Sequence, residues 1–206
     1  ILDIIHSNWL ERPVYFSVTC SQEKLLGLQD YMELEGMALR VVPVRTPSDQ
    51  GMYIYGSGKI NQDWSYDVLM NKFRWGNFDK VQQFIDHSFA PSTQAQRMIM
   101  MRTALALLDS GDKQRAAQVA NKFFEGFPNM NFQYDVRIMP FIQILIDAGD
   151  LESAKKHLRI LATETVDMLE FFDTLTSDQL ESGFSQDKGL SMSAVREIGE
   201  RSKQLN

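Results

Sequence analysis

The stretch LLDSGDKQRAA at residues 107–117 decides the fold of the second half of the chain. It lies between two apolar periodic stretches and recurs as LIDAGDLESAK at residues 145–155. In each copy a glycine ends the first helix, where it can adopt the left-handed conformation without a Cβ clash. The aspartate that follows can cap the second helix by accepting from its free backbone N–H groups. The pattern therefore predicts the hinge of a helical hairpin and argues against a phosphate-binding loop.

The two copies agree over their apolar frame as well as over the turn. The matching positions are Leu107 and Leu145, Asp109 and Asp147, Gly111 and Gly149, Asp112 and Asp150, and Ala116 and Ala154. A weaker third copy, FRWGNFDKVQQFI around Gly76, precedes them. A period of about 35 to 38 residues with two helices per unit is typical of helical-hairpin repeats. With Pro128 after the second helix, these units resemble tetratricopeptide repeats.

The front of the chain has a different pattern. Val14–Thr19 and Leu39–Val42 are β-branched or aromatic and predict strands. Between them, 22–35 reads as a helix that stops at Gly36. A strand, a helix and a strand form a crossover unit, so the two strands are predicted to lie parallel. Residues 52–55 predict a short edge strand.

From residue 65 onward the strand signal disappears. Apart from an opening helix over 1–10, the predicted helices cover residues 66–74, 79–88, 94–109, 112–125, 138–147, 150–163, 166–181 and 191–204. We therefore predict an α+β fold with a small βαβ-type part at 1–62 and a mainly helical, tetratricopeptide-like part at 63–206.

Composition excludes several classes of function. The 206 residues carry a formal net charge of -6, whereas nucleic-acid binding requires a positive patch that displaces counterions. No run of about 18 apolar residues occurs, so the chain is not expected to span a bilayer. The one cysteine permits no internal disulfide and no cysteine-based zinc site. The oligomeric state stays open.

No set of catalytic or metal-binding residues assembles in the sequence. The GSGK stretch at 56–59 lacks the earlier glycine and the following Ser or Thr of a nucleotide-binding loop, so a glycine-rich turn is expected. His6, His87 and His157 are isolated from one another, and Cys20 has no histidine partner, so it is interpreted as a small buried apolar residue. No catalytic residue, metal or cofactor is predicted.

Other clusters have two interpretations each. The run MIMM at 98–101 is expected in the core rather than along a peptide groove, although methionine suits both. Glu33 and Glu35 point apart if they lie on a helix, which argues against an acid–base pair. Basic and aromatic residues on both sides of the boundary at residue 62 define a candidate ligand surface, which consists of Arg12, Tyr15, Arg40, Lys72, Arg74 and Trp75.

Three phrases in this order carry a resemblance: NWLERPVYFSVT (8–19), LGLQDYMELEGMALRVVPV (26–44) and YDVLMNKFRWGN (66–77). They resemble the C-terminal soluble region of a bacterial family of multi-pass membrane proteins that has been classed as a domain of unknown function. That family is similar to protein O-mannosyltransferases, which use lipid-linked sugars. The resemblance covers residues 1 to about 165.

The resemblance implies a location and a context. The chain would be a piece of a longer protein whose membrane spans and catalytic acid precede Ile1, and it would lie on the periplasmic side of the inner membrane. No catalytic residue is carried over, and whether the chain belongs to an enzyme stays open. We therefore expect a non-catalytic interaction domain that binds a polypeptide or its own membrane domain. The alternative is an accessory domain that binds a carbohydrate or a lipid headgroup.

Overall fold

The computed structural model describes residues 2–8, 11–46 and 59–205. Its strands are β1 (Tyr15–Ser17), β2 (Met32–Glu35), β3 (Ala38–Val41) and β4 (Lys59–Ile60). Its helices are α1 (Leu2–Ser7), α2 (Gln62–Asp67), α3 (Ala90–Asp109), α4 (Lys113–Gly126), α5 (Met139–Ala148), α6 (Leu151–Asp173), α7 (Ser177–Gln179) and α8 (Ser185–Gln204). A small mixed sheet followed by helices confirms the predicted α+β class. The strand expected at 52–55 and residues 56–58 of the GSGK turn lie outside the described residues.

The sheet has the strand order β1-β3-β2-β4. β3 pairs antiparallel with β1 and with β2, so that Tyr15 and Glu33 lie opposite Arg40 from the two sides. β4 adds parallel to β2, with Lys59 opposite Glu33. The prediction that the first and second strands lie parallel is therefore wrong, because the chain between them forms another strand instead of a crossover helix.

The segment 22–35 is not the predicted helix. Two 3-10 turns, Gln22–Leu25 and Gln29–Tyr31, precede β2. Leu26 and Gly27 between these turns have φ angles of 55° and 79°, and left-handed residues end a right-handed helix. From Met32 the sequence MELE places its two apolar residues, both fully buried, on one face of a strand.

Gly36 begins the tight turn between β2 and β3, where the sequence predicted a helix stop. Its φ is 63°, a conformation that costs a non-glycine residue about 1 to 2 kcal/mol. A Cβ at this position would lie 2.6 Å from Cγ1 of Val68, which no side chain tolerates. Glycine is therefore required twice, by the backbone and by the side chain that covers the turn.

The chain divides into two compact units, of which the first contains residues 1–74 and 86–110. Its core joins the inner face of the sheet to Ile99 of α3, through Phe16, Val18, Leu25, Met32, Leu34 and Leu39. The MIMM run at 98–101 is buried, so its interpretation as core is confirmed. Cys20 packs against the same core with its thiol unbonded and half-buried.

Ser65 ties α2 to the sheet of the first unit. Its side chain is fully buried and donates to the carbonyl of Leu34 at 3.1 Å, while the backbone N–H of Gly36 donates to its Oγ at 3.0 Å. The Ser65 hydroxyl thus bonds two backbone groups at the end of β2, and the carbonyl of Leu34 also accepts from the backbone N–H of Asn61 at 3.0 Å. This bond fixes where α2 begins relative to the turn.

The second compact unit contains residues 75–85 and 111–206. Along the chain α4 packs on α5, α5 on α6, and α6 on α8. An aromatic core fills this unit, and the ring of Phe123 stacks on that of Phe141 with centroids 3.7 Å apart. α6 runs on to Asp173, so the helix predicted over 166–181 continues the previous one for half its length.

The two glycine–aspartate turns have the predicted local geometry. Gly111 and Gly149 have φ angles of 86° and 91°. Oδ1 of Asp112 accepts from the backbone N–H of Arg115 at 3.0 Å, and Asp150 accepts in the same way from Ser153 at 3.2 Å. The division between the compact units falls between Ser110 and Gly111, whereas α5 and α6 lie in one unit and pack on each other. The predicted domain boundary near residue 62 stays a prediction.

Residues 78–84, which we call the strap, contradict the helix predicted over 79–88. Asn131 holds the strap through three bonds to its backbone. Nδ2 donates to the carbonyls of Phe78 at 2.6 Å and Val81 at 2.9 Å, and Oδ1 accepts from the N–H of Gln83 at 2.6 Å. The backbone groups that a helix would pair internally are instead bonded to one side chain. The third repeat copy around Gly76 is therefore wrong.

Candidate functional site

The outer face of the sheet carries a row of polar side chains. Tyr15 on β1, Arg40 on β3 and Glu33 on β2 lie opposite one another, so they share one face. Glu35 is two residues beyond Glu33 and points to the same side, because side chains alternate along a strand. The inference that Glu33 and Glu35 diverge on a helix is thus wrong, since both lie on β2.

Glu35 is the centre of this face. It is only 5% exposed, and its carboxylate accepts from Tyr15 Oη at 2.7 Å, Arg40 Nη1 at 3.2 Å and Asn61 Nδ2 at 3.1 Å. Burial raises the pKa of the Tyr15 phenol, and the bond to Glu35 adds to the shift, so this hydroxyl stays a donor. A buried carboxylate with three donors is a satisfied structural group, and it holds the guanidinium of Arg40 in place.

A surface cavity of ≈ 130 Å³ lies where α1 meets the paired strands β1 and β3. Its lining residues are Ile5, Asn8, Arg12, Pro13, Val14, Arg40, Val41 and Pro43. Arg12 reaches it because its backbone N–H donates to the carbonyl of Asn8 at 3.1 Å, which curls the chain back after α1. Arg40 reaches it from the centre of the sheet.

The charged side chains described for this cavity are all positive. Arg12 and Arg40 are the only ionisable residues among the described residues of its lining. Arg40 is 44% exposed at its side chain and uses Nη1 to bond Glu35. Within the described parts of the chain, no ion pair involves Arg12. The arrangement can bind an anion, and its described lining has no carboxylate, imidazole, thiol or hydroxyl that could act as a base or nucleophile.

The structure brings together only part of the predicted ligand surface. Arg12 and Arg40 share the cavity, and Tyr15 is linked to Arg40 through Glu35. Lys72 instead forms an ion pair with Asp67 at 2.6 Å and lies 4.5 Å from the centroid of the Trp64 ring. These contacts use Lys72 within its own segment, just after α2.

The last two predicted ligand residues lie apart from the cavity lining. Arg74 is exposed at the end of the first unit's leading segment. Trp75 belongs to the second unit, where its ring meets Phe127 edge-on at 5.9 Å. It also covers Gly126, at which an added Cβ would lie 2.8 Å from the Trp75 ring. Trp75 is therefore a packing residue of the helical unit.

The sequence did not predict that Asn8 lines the cavity or that Glu35 bonds Arg40 and Asn61. The spacing of Ile5, Asn8 and Arg12 at three and four residues was the available signal, because it places them on one face of a helical turn. No signal near Asn61 pointed to Glu35, since the two residues are distant in sequence and are joined only by the sheet.

The second unit buries a polar stack that is structural rather than catalytic. The ring of His157 lies parallel to that of Phe124, with centroids 3.6 Å apart, and its Nδ1 is 3.3 Å from Tyr134 Oη. Burial lowers the pKa of His157 to about 4, and the charge of Lys156 adds to the effect. Burial also raises the pKa of Tyr134. Both groups are therefore neutral at pH 7.

Two further features are absent from the described residues, a metal-binding cluster and a membrane-spanning helix. Residues 2–8, 11–46 and 59–205 contain no group of three His, Cys, Asp or Glu side chains placed to hold a metal ion. Over the same ranges, no helix has the length and apolar character needed to cross a membrane. The side chain of His87 lies outside the described ones.

The fold and site define an α+β domain with a cationic cavity on its sheet and a helical unit in its second half. Residues 1–64 match the family model described as TMEM260-associated domain 2. This match covers the sheet and the cavity and links the chain to a TMEM260-type family. Neither the curated proteins nor the solved structures contain a match to the chain.

Proposed function

We propose that this chain is a non-catalytic interaction module of a membrane-embedded, glycosyltransferase-like protein, and that it binds a polypeptide on the periplasmic side of the membrane. The match to TMEM260-associated domain 2 over 1–64 supports the link to a membrane protein family, together with the resemblance of the three sequence phrases. The described cavity supports a non-catalytic role, because its lining contains no base or nucleophile.

The observation that carries the proposal is the strap. Phe84 is 87% exposed and Val81 is 57% exposed, although Val81 lies within the segment that Asn131 fixes by three bonds and Phe84 directly follows it. An aromatic residue held on an ordered backbone loses little entropy when a partner covers it. Such residues dominate the free energy of protein–protein interfaces. The strap therefore has the properties of an anchor for a polypeptide partner.

The helices behind the strap supply a rigid support. α4, α5 and α6 pack successively along the chain, and α5 joins α6 through the left-handed Gly149 and the capping Asp150. We assign these helices to tetratricopeptide-like hairpins on this basis. Helices that each pack on the next one build an extended surface, and proteins of this kind commonly use that surface to bind peptides.

Photo-crosslinking in the full-length protein would test the proposal. A photoreactive amino acid replaces Phe84 in one sample and Val195, an exposed residue of α8, in the other. We expect a crosslink to a polypeptide at position 84 and none at position 195. A crosslink from position 84 to the membrane part of the same chain would show that the module docks on its own protein. Equal crosslinking at both positions, or none at position 84, would contradict the proposal.

A binding measurement on the 206-residue chain provides the quantitative arm. Peptides selected from a displayed library should lose about thirtyfold in affinity with Phe84→Ala, as expected for an interface anchor of about 2 kcal/mol. Val81→Asp should weaken binding as well, whereas Val195→Asp, the same change at an exposed valine of the same unit, should not. Peptides that bind the Phe84→Ala variant as tightly as the unaltered chain would remove the strap from the interface.

A further inference from the structure

The cavity between Arg12 and Arg40 has the features of a preorganised anion site. The position of Arg40 is fixed by Glu35, because Nη1 of Arg40 donates to the buried Glu35 carboxylate. That carboxylate also accepts from Tyr15 and Asn61. A guanidinium has five N–H donors, and the described residues occupy one of those of Arg40. The Arg40 side chain is 44% exposed, so donors that do not bond Glu35 can meet a ligand from solvent.

Arg12 supplies a second cation with no described counterion. It lies just after α1, in a chain whose net charge is -6, yet the residues described for the cavity lining include no carboxylate. Two cations beside one cavity repel each other unless a negative group lies between them. Glu35 neutralises Arg40 from within the sheet and leaves the charge of Arg12 unbalanced. A bound anion would therefore be stabilised by both side chains.

The size and lining of the cavity narrow the class of ligand. Its ≈ 130 Å³ is below the roughly 300 to 1,000 Å³ of pockets that enclose a whole small molecule, so it holds a single group rather than an oligosaccharide. Arginine forks match the oxygens of phosphate in two-point bonds, and a tetrahedral phosphate can face two forks at once. Apolar side chains from Ile5, Val14 and Val41 line the remaining wall and limit competition from water.

We propose that this cavity binds a phosphate group borne by a lipid headgroup or by a soluble phosphate ester, with Arg12 and Arg40 as the two binding residues. Asn8 also lines the cavity, and its Nδ2 donates one hydrogen bond to the carbonyl of Ile4 at 2.8 Å. The inference is independent of the proposed polypeptide interaction, which uses the strap of the other compact unit.

The test follows the side-chain N–H signals of arginine by NMR while the 206-residue chain is titrated with glycerol phosphate. We expect saturable shifts of Arg12 and Arg40. Arg12→Gln should weaken binding by at least about tenfold, because it removes one charge-assisted bond. The matched control is Arg74→Gln, which removes the same charge from an exposed arginine outside the lining and should leave the affinity unchanged.

A second variant separates the geometry from the charge. Arg40→Lys keeps a cation beside Glu35 but loses the planar fork, so binding should weaken while the chain stays folded. Thermal unfolding of each variant confirms that the fold is intact. Weakening by Arg74→Gln equal to that by Arg12→Gln would show a general charge effect and would overturn the site, as would shifts that do not saturate.

Vesicles distinguish the two sources of phosphate. Binding to phosphatidylglycerol vesicles that depends on Arg12 and is absent with phosphatidylcholine vesicles assigns the site to an anionic lipid headgroup. Saturable binding of glycerol phosphate without vesicle binding assigns it to a soluble ester. If acetate competes as well as glycerol phosphate, the cavity is a general carboxylate site and the phosphate assignment is wrong.

Discussion

The two glycine–aspartate turns share a sequence and a backbone conformation but differ in what they connect. Gly111 and Gly149 are both left-handed, and the aspartate after each caps the next helix. The second turn joins α5 and α6, which pack on each other within one compact unit. The first turn lies where the chain passes from one compact unit to the other.

This difference separates two kinds of sequence signal. The glycine and the aspartate specify the turn through local backbone physics, and they do so equally well in both places. They do not specify which surfaces the flanking helices bury. That choice depends on apolar contacts with distant residues, such as the contact of Ile99 in α3 with the core of the sheet. A repeated turn is therefore stronger evidence for helices than for a repeated fold.

Removing the packing beside the second turn should have the largest effect. Phe141 of α5 is fully buried and stacks on Phe123 of α4, so Phe141→Ala should lower the free energy of unfolding by about 4 kcal/mol. Denaturant titration measures this change. Phe84→Ala deletes the same ring from an exposed position, and its effect should stay below about 0.5 kcal/mol. Equal losses would mean that the stack contributes little.

Acid should weaken the second unit through His157. Its pKa is about 4 in the folded chain, whereas an unfolded histidine titrates near its usual value of 6.5. Between these values the unfolded chain binds more protons, so this contribution to stability is complete above pH 6.5 and is lost as the pH falls towards 4. The loss should be on the order of 2 kcal/mol. Unfolding titrations at a series of pH values measure it.

The control for this pH effect is a variant without the buried imidazole. His157→Gln should remove most of the slope between pH 4 and 6.5. Three aspartates also have a lowered pKa: Asp67, Asp112 and Asp150. Their contributions to stability are lost only as the pH falls below the usual pKa of an aspartate, at the acid end of this window or beyond it. An unchanged slope in His157→Gln would refute the assignment.

The two turn glycines should respond alike. Gly149→Ala and Gly111→Ala both force a side chain into the left-handed region, at a cost of about 1 to 2 kcal/mol each. No atom lies within 4 Å of an added Cβ at either position, so the cost is that of the backbone alone. Thermal and denaturant unfolding compare the two. If only one of the two variants is destabilised, the left-handed conformation does not cost the same at both turns.

The capping aspartates should give the smallest effects and should differ from each other. Asp150→Ala removes a cap and also the bond that Asn121 Nδ2 donates at 2.8 Å, so we expect a loss of about 1 to 1.5 kcal/mol. Asp112→Ala removes a cap and a partly exposed pair with Arg115, for a loss of about 0.5 to 1 kcal/mol. The reverse order in unfolding titrations would contradict the link from Asp150 to α4.

The helical half was readable from the sequence because its signals are local. The boundaries of α4 and α5 fall within one or two residues of the predictions, since caps and apolar periods act within one element. The sheet was misread because MELE at 32–35 sits in a window whose leucines also fit a helix. Strand pairing joins residues that are distant in sequence. Nothing in the residue type of Leu26 indicated its left-handed conformation.

Part of the candidate site could be predicted from the sequence, and the part that depends on contacts between distant residues could not. Its basic and aromatic residues suggested a surface for a carbohydrate or a lipid headgroup, and the structure places two of them, Arg12 and Arg40, beside one cavity. The sequence did not predict that Trp75 packs against Phe127, because these residues lie far apart along the chain. It also did not predict the strap, where the side chain of Asn131, 50 residues away, bonds the carbonyl of Val81.

Cys20 gives this molecule a built-in chemical reporter. It is the single cysteine of the chain, and it packs half-buried against the core of the sheet while its thiol stays reduced. A thiol reagent added in excess would therefore react at a rate limited by exposure of that one sulfur. The modification rate would report how often local opening of the first compact unit exposes this sulfur, without any introduced label. Slower modification in the presence of a phosphate ester would register ligand binding elsewhere in the same compact unit.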